Sequence, residues 1–322
     1  MSNLDATPPV DTMGGLATVS PGPVAEVYPG KDVPLGEATL VRRVLPNLGR
    51  RLVGPWCFVD HYGPEDVSGR SGMQVPPHPH IGLQTVSWLL AGAVQHHDSL
   101  GSDAVVRPGQ LGLMTSGAGI AHAEYSPEPH PDLLHGVQLW VALPDAARTE
   151  SPRWEHHAEL PVLTDAGGTA TVILGDLAGT ASPGTTFSPA VGAELAVAAG
   201  AAITVPLEPG FEHALLVLAG TAEAADTRIV PGAMLYLGCG RAELRVSAVD
   251  GPARVLLIGG APFEERIVMW WNFVARDNDE IVAARAAWND RSGFGDVPGF
   301  DGYRLPAPAL PPGRLRPGGS TR

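Results

Sequence analysis

Cysteine is nearly absent from this 322-residue chain: Cys57 and Cys239 stand far apart and in no C-x-x-C pair. That excludes a disulfide framework and a thiolate zinc site, and it suits a reducing cytosol, the expected location. Basic residues are also scarce, 21 Lys and Arg against 34 Asp and Glu, for a formal net charge of −13. A chain so acidic lacks the positive face that captures nucleic acid or adsorbs to anionic membrane. Long apolar runs are missing too. The longest, "LAVAAGAAITVPL" from Leu195, is too short to span a bilayer and is interrupted by Gly200, Thr204 and Pro206. With Asp5 early and no Lys or Arg before Lys31, the start has neither the basic nor the apolar region of a signal peptide.

What the chain does have is a 44% hydrophobic content, 40 glycines and 32 prolines. The length is comfortable for two compact units, and the glycines and prolines are spread as punctuation between short strands. "TVSWLLAGAVQHHDS" reads as strand, turn at Gly92 and return strand, and "AVVRPGQLGLMTSG" repeats the device around Pro108 and Gly109. Further on, "LLVLAGTAEA" resembles "VSWLLAGAVQ" and "RIVPGAMLYL" resembles "VVRPGQLGLM". Two similar strand-rich units in series are expected. We place them at 24–150 and 151–305, joined through the polar "LPDAARTESPRWEHHAELP". A flexible lead is expected over 1–23 and a disordered tail over 306–322, both rich in small residues and proline. One helix is predicted over 276–290, capped by Asp277 or Asn278, with Ile281, Ala284 and Trp288 on one face.

In "MQVPPHPHIGLQ", His78 and His80 stand at i and i+2, so on a strand both imidazoles face one side. Pro79 cannot donate to a ladder, which suits a strand start or an edge. Alone, such a pair describes ordinary polar strand histidines equally well. In "MTSGAGIAHAEYS", 42 residues beyond His80, His122 and Glu124 repeat the i, i+2 spacing. Three imidazoles and a carboxylate suit Fe, Mn, Ni, Cu or Zn and are too rich in nitrogen for Ca or Mg. Four protein ligands leave one or two positions open on a five- or six-coordinate ion.

The segment "GMQVPPHPHIGLQ" also runs Gly, five residues, His-x-His, three residues, Gln84, and so resembles the first cupin motif, whose last position is usually Glu. "GIAH" resembles the Gly-x-x-His of the second motif. With "GPWCFVDHYGP", "HPHIGLQTVSWLLAGAVQHHDSLG" and "PGQLGLMTSGAGIAHAE", the chain resembles the pirin family of bicupins, strongly over residues 25 to 145 and more weakly through "GGAPFEERIVMWWNFVARDNDEI". The resemblance implies an all-β fold of two tandem cupin barrels with a short C-terminal helix. It implies iron ligands at His78, His80, His122 and Glu124, with Fe(II) the expected ion and Mn, Ni, Cu or Zn the other candidates. It implies a quercetin 2,3-dioxygenase-like oxidoreductase that takes a flavonol and dioxygen, with Glu124 as ligand and acceptor of the flavonol hydroxyl proton. Gln84, where the family has Glu, is expected beside the ligands, and unlike Glu it cannot take a proton at neutral pH. Leu83, Val86 and Met114 are candidate pocket residues, and His61 stands in a loop near the site.

The remaining histidines have plainer readings. His96 and His97 face opposite ways on a strand, and surface positions are expected for them. His156 and His157 fall in the presumed linker, and His130 and His135 in a Pro-rich loop near the mouth. Beyond residue 158 the chain holds a single histidine, His213, and the second unit is expected to be a metal-free scaffold. Pirins are also described as non-enzymatic, metal-dependent regulators of transcription factors or metabolic enzymes, so a protein partner is a second expectation. A sugar-phosphate isomerase would want converging basic residues, and only Arg70 and Arg107 stand near the ligand segments. A monomer is expected, because the second barrel supplies the partner that single-barrel cupins find by dimerising.

Overall fold

The computed structural model describes residues 5–14, 19–20, 22–35, 39–300 and 303–315. Two β-barrels lie side by side, and one helix is present among the described residues. The first barrel closes a seven-stranded sheet over a four-stranded one. The larger runs, in spatial order, Arg153–His157, Leu111–Thr115, Leu83–Ala91, Leu133–Ala142, Trp56–Asp66, Thr39–Leu45 and Lys31–Leu35. The smaller runs Gln74–His80, Ile120–Tyr125, Val94–Asp98 and Asp103–Val106. The second barrel is a single ten-stranded sheet with a continuous aliphatic core that includes Val172, Leu195, Leu215, Val217, Val246 and Leu257.

The internal repeat is carried by its turns. Gly92 and Gly220 both have positive φ (92° and 75°), as do Gly109 and Gly232 (82° and 90°), a backbone region glycine enters without steric cost.

Alternation along each strand sorts the side chains to two faces. In the larger sheet of the first barrel, Val59, Val86, Trp88, Val137 and Leu139 point out of the barrel and meet Leu216, Leu218, Tyr236, Leu256 and Ile258 of the second. Hydrogen bonds cross the same seam. Trp56 Nε1 donates to Gly259 O at 2.9 Å and Trp88 Nε1 to Glu194 Oε2 at 2.6 Å. The opposite face, with Tyr62 and Leu89, lines the first barrel's interior.

The strands do not respect the boundaries expected at 24–150 and 151–305. Pro23–Pro29 pairs with Ala233–Gly238 of the second barrel, while Arg153–His157, in the presumed linker, pairs with Leu111–Thr115 of the first. The lead is corrected as well. Val10–Met13 pairs antiparallel with Ile267–Trp270, Met13 is buried beside Ile267 and Met269, and buried Asp11 pairs with Arg51. Residues 1–4, 15–18 and 21 of the lead lie outside the described residues. The tail packs down over 306–315. Ala307 and Leu315 are buried in one cluster with Trp270 and Trp288, and Arg314 meets Asp279 at 2.6 Å. Residues 316–322 lie outside the described residues.

The helix spans Asn278–Asn289, with Asp277 as its N-cap accepting from the backbone N–H of Asp279 and Glu280. Its buried face is Ile281, Ala284 and Trp288, as the periodicity predicts. With the hairpin of Ile267–Trp270 and Phe273–Ala275 it covers the outer face of the smaller sheet, where Ala121 and Ala123 leave room for Trp270, Trp271 and Phe273.

Candidate metal centre

Gln74–His80 and Ile120–Tyr125 are antiparallel neighbours in the smaller sheet, and the register sets His78 directly opposite His122. Three imidazoles thus converge inside the first barrel. Ring centroids lie 5.0 Å apart for His78 and His80, 4.3 Å for His78 and His122, and 5.0 Å for His80 and His122. One ligand atom from each lies within 4.8 Å of the others. All three side chains are buried, and the Nε2 atoms of all three have no hydrogen-bond partner.

The other ring nitrogens are engaged. His78 Nδ1 lies 2.9 Å from Pro76 O, and His80 Nδ1 3.0 Å from Asn272 O. A carbonyl only accepts, so each Nδ1 carries the proton and each Nε2 turns a lone pair toward the centre. Burial pushes the His78 imidazole down to about 4, against the smaller opposing effects of its Pro76 hydrogen bond and the Glu124 charge. Burial and the neighbouring rings hold His80 and His122 well below the ordinary histidine value. The cluster is therefore neutral at pH 7 and suited to a cation. Buried nitrogen lone pairs without partners are costly unless something accepts them, and three of them converging on one point are what a transition metal requires.

The carbonyl that orients His80 belongs to the hairpin tip Trp271–Asn272. Trp271 has φ 55°, the left-handed region a bulky residue rarely enters and a two-residue hairpin commonly demands. The strain is held by packing, with Trp271 against Phe273 and Trp270.

Glu124 follows His122 on the same strand, but the ladder shifts register between them, so Glu124 does not continue the simple alternation. It is buried, with Ser87 Oγ 3.3 Å from its Oε1. The same hydroxyl lies 2.8 Å from Gln138 Oε1, one proton for two acceptors. The Glu124 charge acts on His78 and, after burial, is the second cause raising the Tyr62 phenol. The structure thus groups the three imidazoles tightly; Glu124 is not one of that close group, and its charge reaches His78.

His96 differs from the surface position expected of it. Val94–Asp98 is the other neighbour of Ile120–Tyr125, and it sets His96 opposite Glu124 and Asp98 opposite His122. His96 is buried, its ring stacked on Trp154 at 3.7 Å and 6°. Its Nδ1 lies 3.3 Å from His122 Nδ1 and its Nε2 3.0 Å from Asp98 Oδ2. Only the register, a long-range property, distinguishes it from His97, which faces out to Tyr125 and Phe300.

Two expected neighbours of the site turn away from it. Gln84 lies on the Val86 and Trp88 side of its strand, where its Nε2 donates to Thr115 Oγ1 and to Thr185 O, both at 3.0 Å. It joins the barrels instead of supporting a ligand. His61 lies on the Val59 side, with its Nε2 2.9 Å from His135 Nε2. Val86, too, belongs to the seam. Met114 is buried and, by parity with seam residues Leu111 and Leu113, faces the barrel interior. Leu83 packs with Phe58 and Trp140. His156 and His157 lie on an edge strand, with His156 exposed.

A cavity of about 450 Å³ opens beside the first barrel, lined by Arg43, Arg51, Phe58, Met269 and Trp271 among others. Phe58 stacks on Trp140 at 4.0 Å, and Trp140 meets the His80 ring edge-on at 5.2 Å. Arg43 lies over the Phe58 ring and is held by buried Asp60 at 2.8 Å. Among the described residues no helix is long and apolar enough to cross a membrane.

Comparison with known proteins agrees with this geometry. Residues 38–141 match the Pirin family and residues 192–295 the Pirin C-terminal cupin domain. A Pseudomonas aeruginosa protein provisionally named quercetin 2,3-dioxygenase is 44% identical over 278 residues, covering 86% of this chain and 88% of that protein. A pirin-like protein of Caulobacter vibrioides is 35% identical over 83% of this chain and 94% of its own. The crystal structure of a quercetin 2,3-dioxygenase from Acinetobacter baumannii superposes with a TM-score of 0.86 at 40% identity, covering 90% of this chain and 96% of that one. Two tandem barrels, a three-histidine cluster in the first and relatives of this closeness place the chain in the pirin family.

Proposed function

We propose that His78, His80, His122 and Glu124 hold a single Fe(II) ion and that the protein is a dioxygenase acting on quercetin-type flavonols or a related enolic aromatic. The observation that carries this reading is the set of three buried Nε2 lone pairs, neutral and without protein partners, converging beside a buried carboxylate. The relatives named as quercetin 2,3-dioxygenases support the substrate class.

The bound metal would supply a Lewis-acidic, redox-active centre at which an enol oxygen and dioxygen can meet. The protein's own contribution is positional and protic. Pro76 and Asn272 carbonyls fix the His78 and His80 rings so that Nε2 faces inward. Glu124 accepts the flavonol hydroxyl proton at its carboxylate, and Ser87 and Gln138 set the orientation of that carboxylate.

The test is anaerobic reconstitution with Fe(II), metal content by mass spectrometry, and quercetin loss followed optically in air, beside His122→Ala. Near one iron per chain, with turnover that His122→Ala abolishes, is the expected result. Bound iron without turnover of quercetin would remove the flavonol reading and leave a metal-dependent binding protein. No bound metal in the wild type would overturn the site itself.

A further inference from the structure

We propose that Asp98 and His96 are positioning residues that fix the tautomer of His122, through a relay running from the Asp98 carboxylate through His96 to the His122 ring, and thereby set the metal affinity of the centre. The inference rests on the reading of His122 as a ligand.

His122 is the one histidine of the three whose Nδ1 meets no backbone carbonyl. Its neighbour there is another imidazole, His96, at 3.3 Å between Nδ1 atoms. An imidazole nitrogen can donate or accept, so this contact alone does not say which nitrogen of His122 holds the proton. The far side of the relay does. Asp98 is fully buried, and its Oδ1 accepts the backbone N–H of Leu100 at 2.9 Å and of Ser102 at 3.0 Å. Its other oxygen, Oδ2, faces His96, so both carboxylate oxygens are held by hydrogen bonds. An ionised carboxylate only accepts, so the His96 Nε2 lying 3.0 Å from Oδ2 must donate. With Nε2 donating to Asp98, His96 offers its Nδ1 lone pair as the acceptor that His122 Nδ1–H needs when His122 gives its Nε2 to a metal. The proton of His122 is thereby placed on Nδ1 and its Nε2 is left free for a metal.

Three further features keep the relay in register. Asp98 sits directly opposite His122 on the paired strand, and His96 directly opposite Glu124. The His96 ring is stacked nearly parallel on Trp154 from the edge strand Arg153–His157. The loop after Asp98 returns its amides to Oδ1, so the carboxylate cannot rotate without losing two hydrogen bonds.

Asp98→Asn tests the relay sharply. The carbonyl oxygen of the introduced amide stays with the Leu100 and Ser102 N–H groups, so its NH₂ faces His96 Nε2 and forces that atom to accept. His96 Nδ1 then donates, His122 Nδ1 must accept, and the His122 proton moves to Nε2, into the centre. Two readouts follow. Long-range ¹H–¹⁵N spectra of metal-free, histidine-labelled protein report each tautomer. The wild type should show His122 protonated at Nδ1 and His96 at Nε2, with both inverted in Asp98→Asn. Co(II) affinity by chelator competition should fall about 10- to 100-fold in Asp98→Asn. His96→Phe, which keeps the stack on Trp154 and removes the acceptor, should lose affinity to a similar degree. A wild-type His122 protonated at Nε2 would overturn the relay, as would unchanged tautomers and Co(II) affinity in Asp98→Asn. If Asp98→Asn does not fold, the wild-type tautomers and His96→Phe decide. A wild type that binds no Co(II) yet shows the stated tautomers would sink the metal-site reading and leave the hydrogen-bond relay standing.

Discussion

At the scale of single residues, the clustered histidines were legible because strand geometry makes i and i+2 equivalent. Two such pairs, His78 with His80 and His122 with Glu124, converge when their strands become neighbours. His80→Ala and His122→Ala should each lose stoichiometric iron while keeping the far-ultraviolet circular dichroism of the folded barrels, whereas His156→Ala, on an exposed edge, should keep both. Retention of iron by either ligand variant would refute the assignment. Gln84 was misplaced by its proximity in sequence to His80. The turn carries the chain into the larger sheet, on whose outward face Gln84 donates to a carbonyl of the second barrel. Gln84→Glu should therefore leave iron content unchanged. It should lower stability by about 1–3 kcal/mol at pH 7, because an ionised carboxylate cannot donate to Thr185 O. Denaturant titrations should show a smaller loss at acid pH, where the carboxyl can regain a proton.

At the scale of elements, the helix was predictable from local chemistry: a cap, an acidic first turn and three apolar residues on one face. Asp277→Ala removes an oxygen that takes two backbone amides and should cost about 1 kcal/mol in thermal or denaturant unfolding. Trp288→Ala, at a buried site whose indole also donates to Leu305 O at 2.8 Å, should cost about 3–5 kcal/mol. The strands Val10–Met13 and Arg153–His157 were not legible. Each is short and sits among turn-forming residues, and each is an edge strand whose reason to be extended is a partner distant in the chain, Ile267–Trp270 for one and Leu111–Thr115 for the other. Local composition at those places describes loop, and only pairing makes them strand.

At the scale of the whole molecule, the tandem repeat showed the two barrels but not how they join. The seam is built from outward-facing residues that a single barrel would expose, such as Trp56, Val59 and Trp88, and each barrel also buries a histidine away from the metal centre, His61 in the first and His213 in the second. Burial pushes His61 down to about 4, helped by the nearby His135 and Arg42, and burial likewise pushes His213, in the second barrel, down to about 4. In the unfolded chain these groups bind protons at about 6.5. The unfolded state therefore takes up protons first, and stability should fall as pH drops from about 6.5 toward 4 and be insensitive to these groups above that window. His213→Leu should flatten the decline by up to about 1.4 kcal/mol per pH unit in denaturant titrations across the window. An unaltered slope would mean that His213 titrates alike in both states.

The hairpin tip that steadies His80 lies almost two hundred residues downstream of it. On the ribosome, the strands bearing His78, His80 and His122 emerge long before Asn272, so a nascent first barrel can assemble its imidazoles but not the carbonyl that aims one of them. The same delay affects Pro23–Pro29, whose seat beside Ala233–Gly238 has yet to be made. For the proposed centre, firm metal retention thus becomes a property acquired late in biosynthesis, and a chain interrupted after residue 260 should carry metal only loosely.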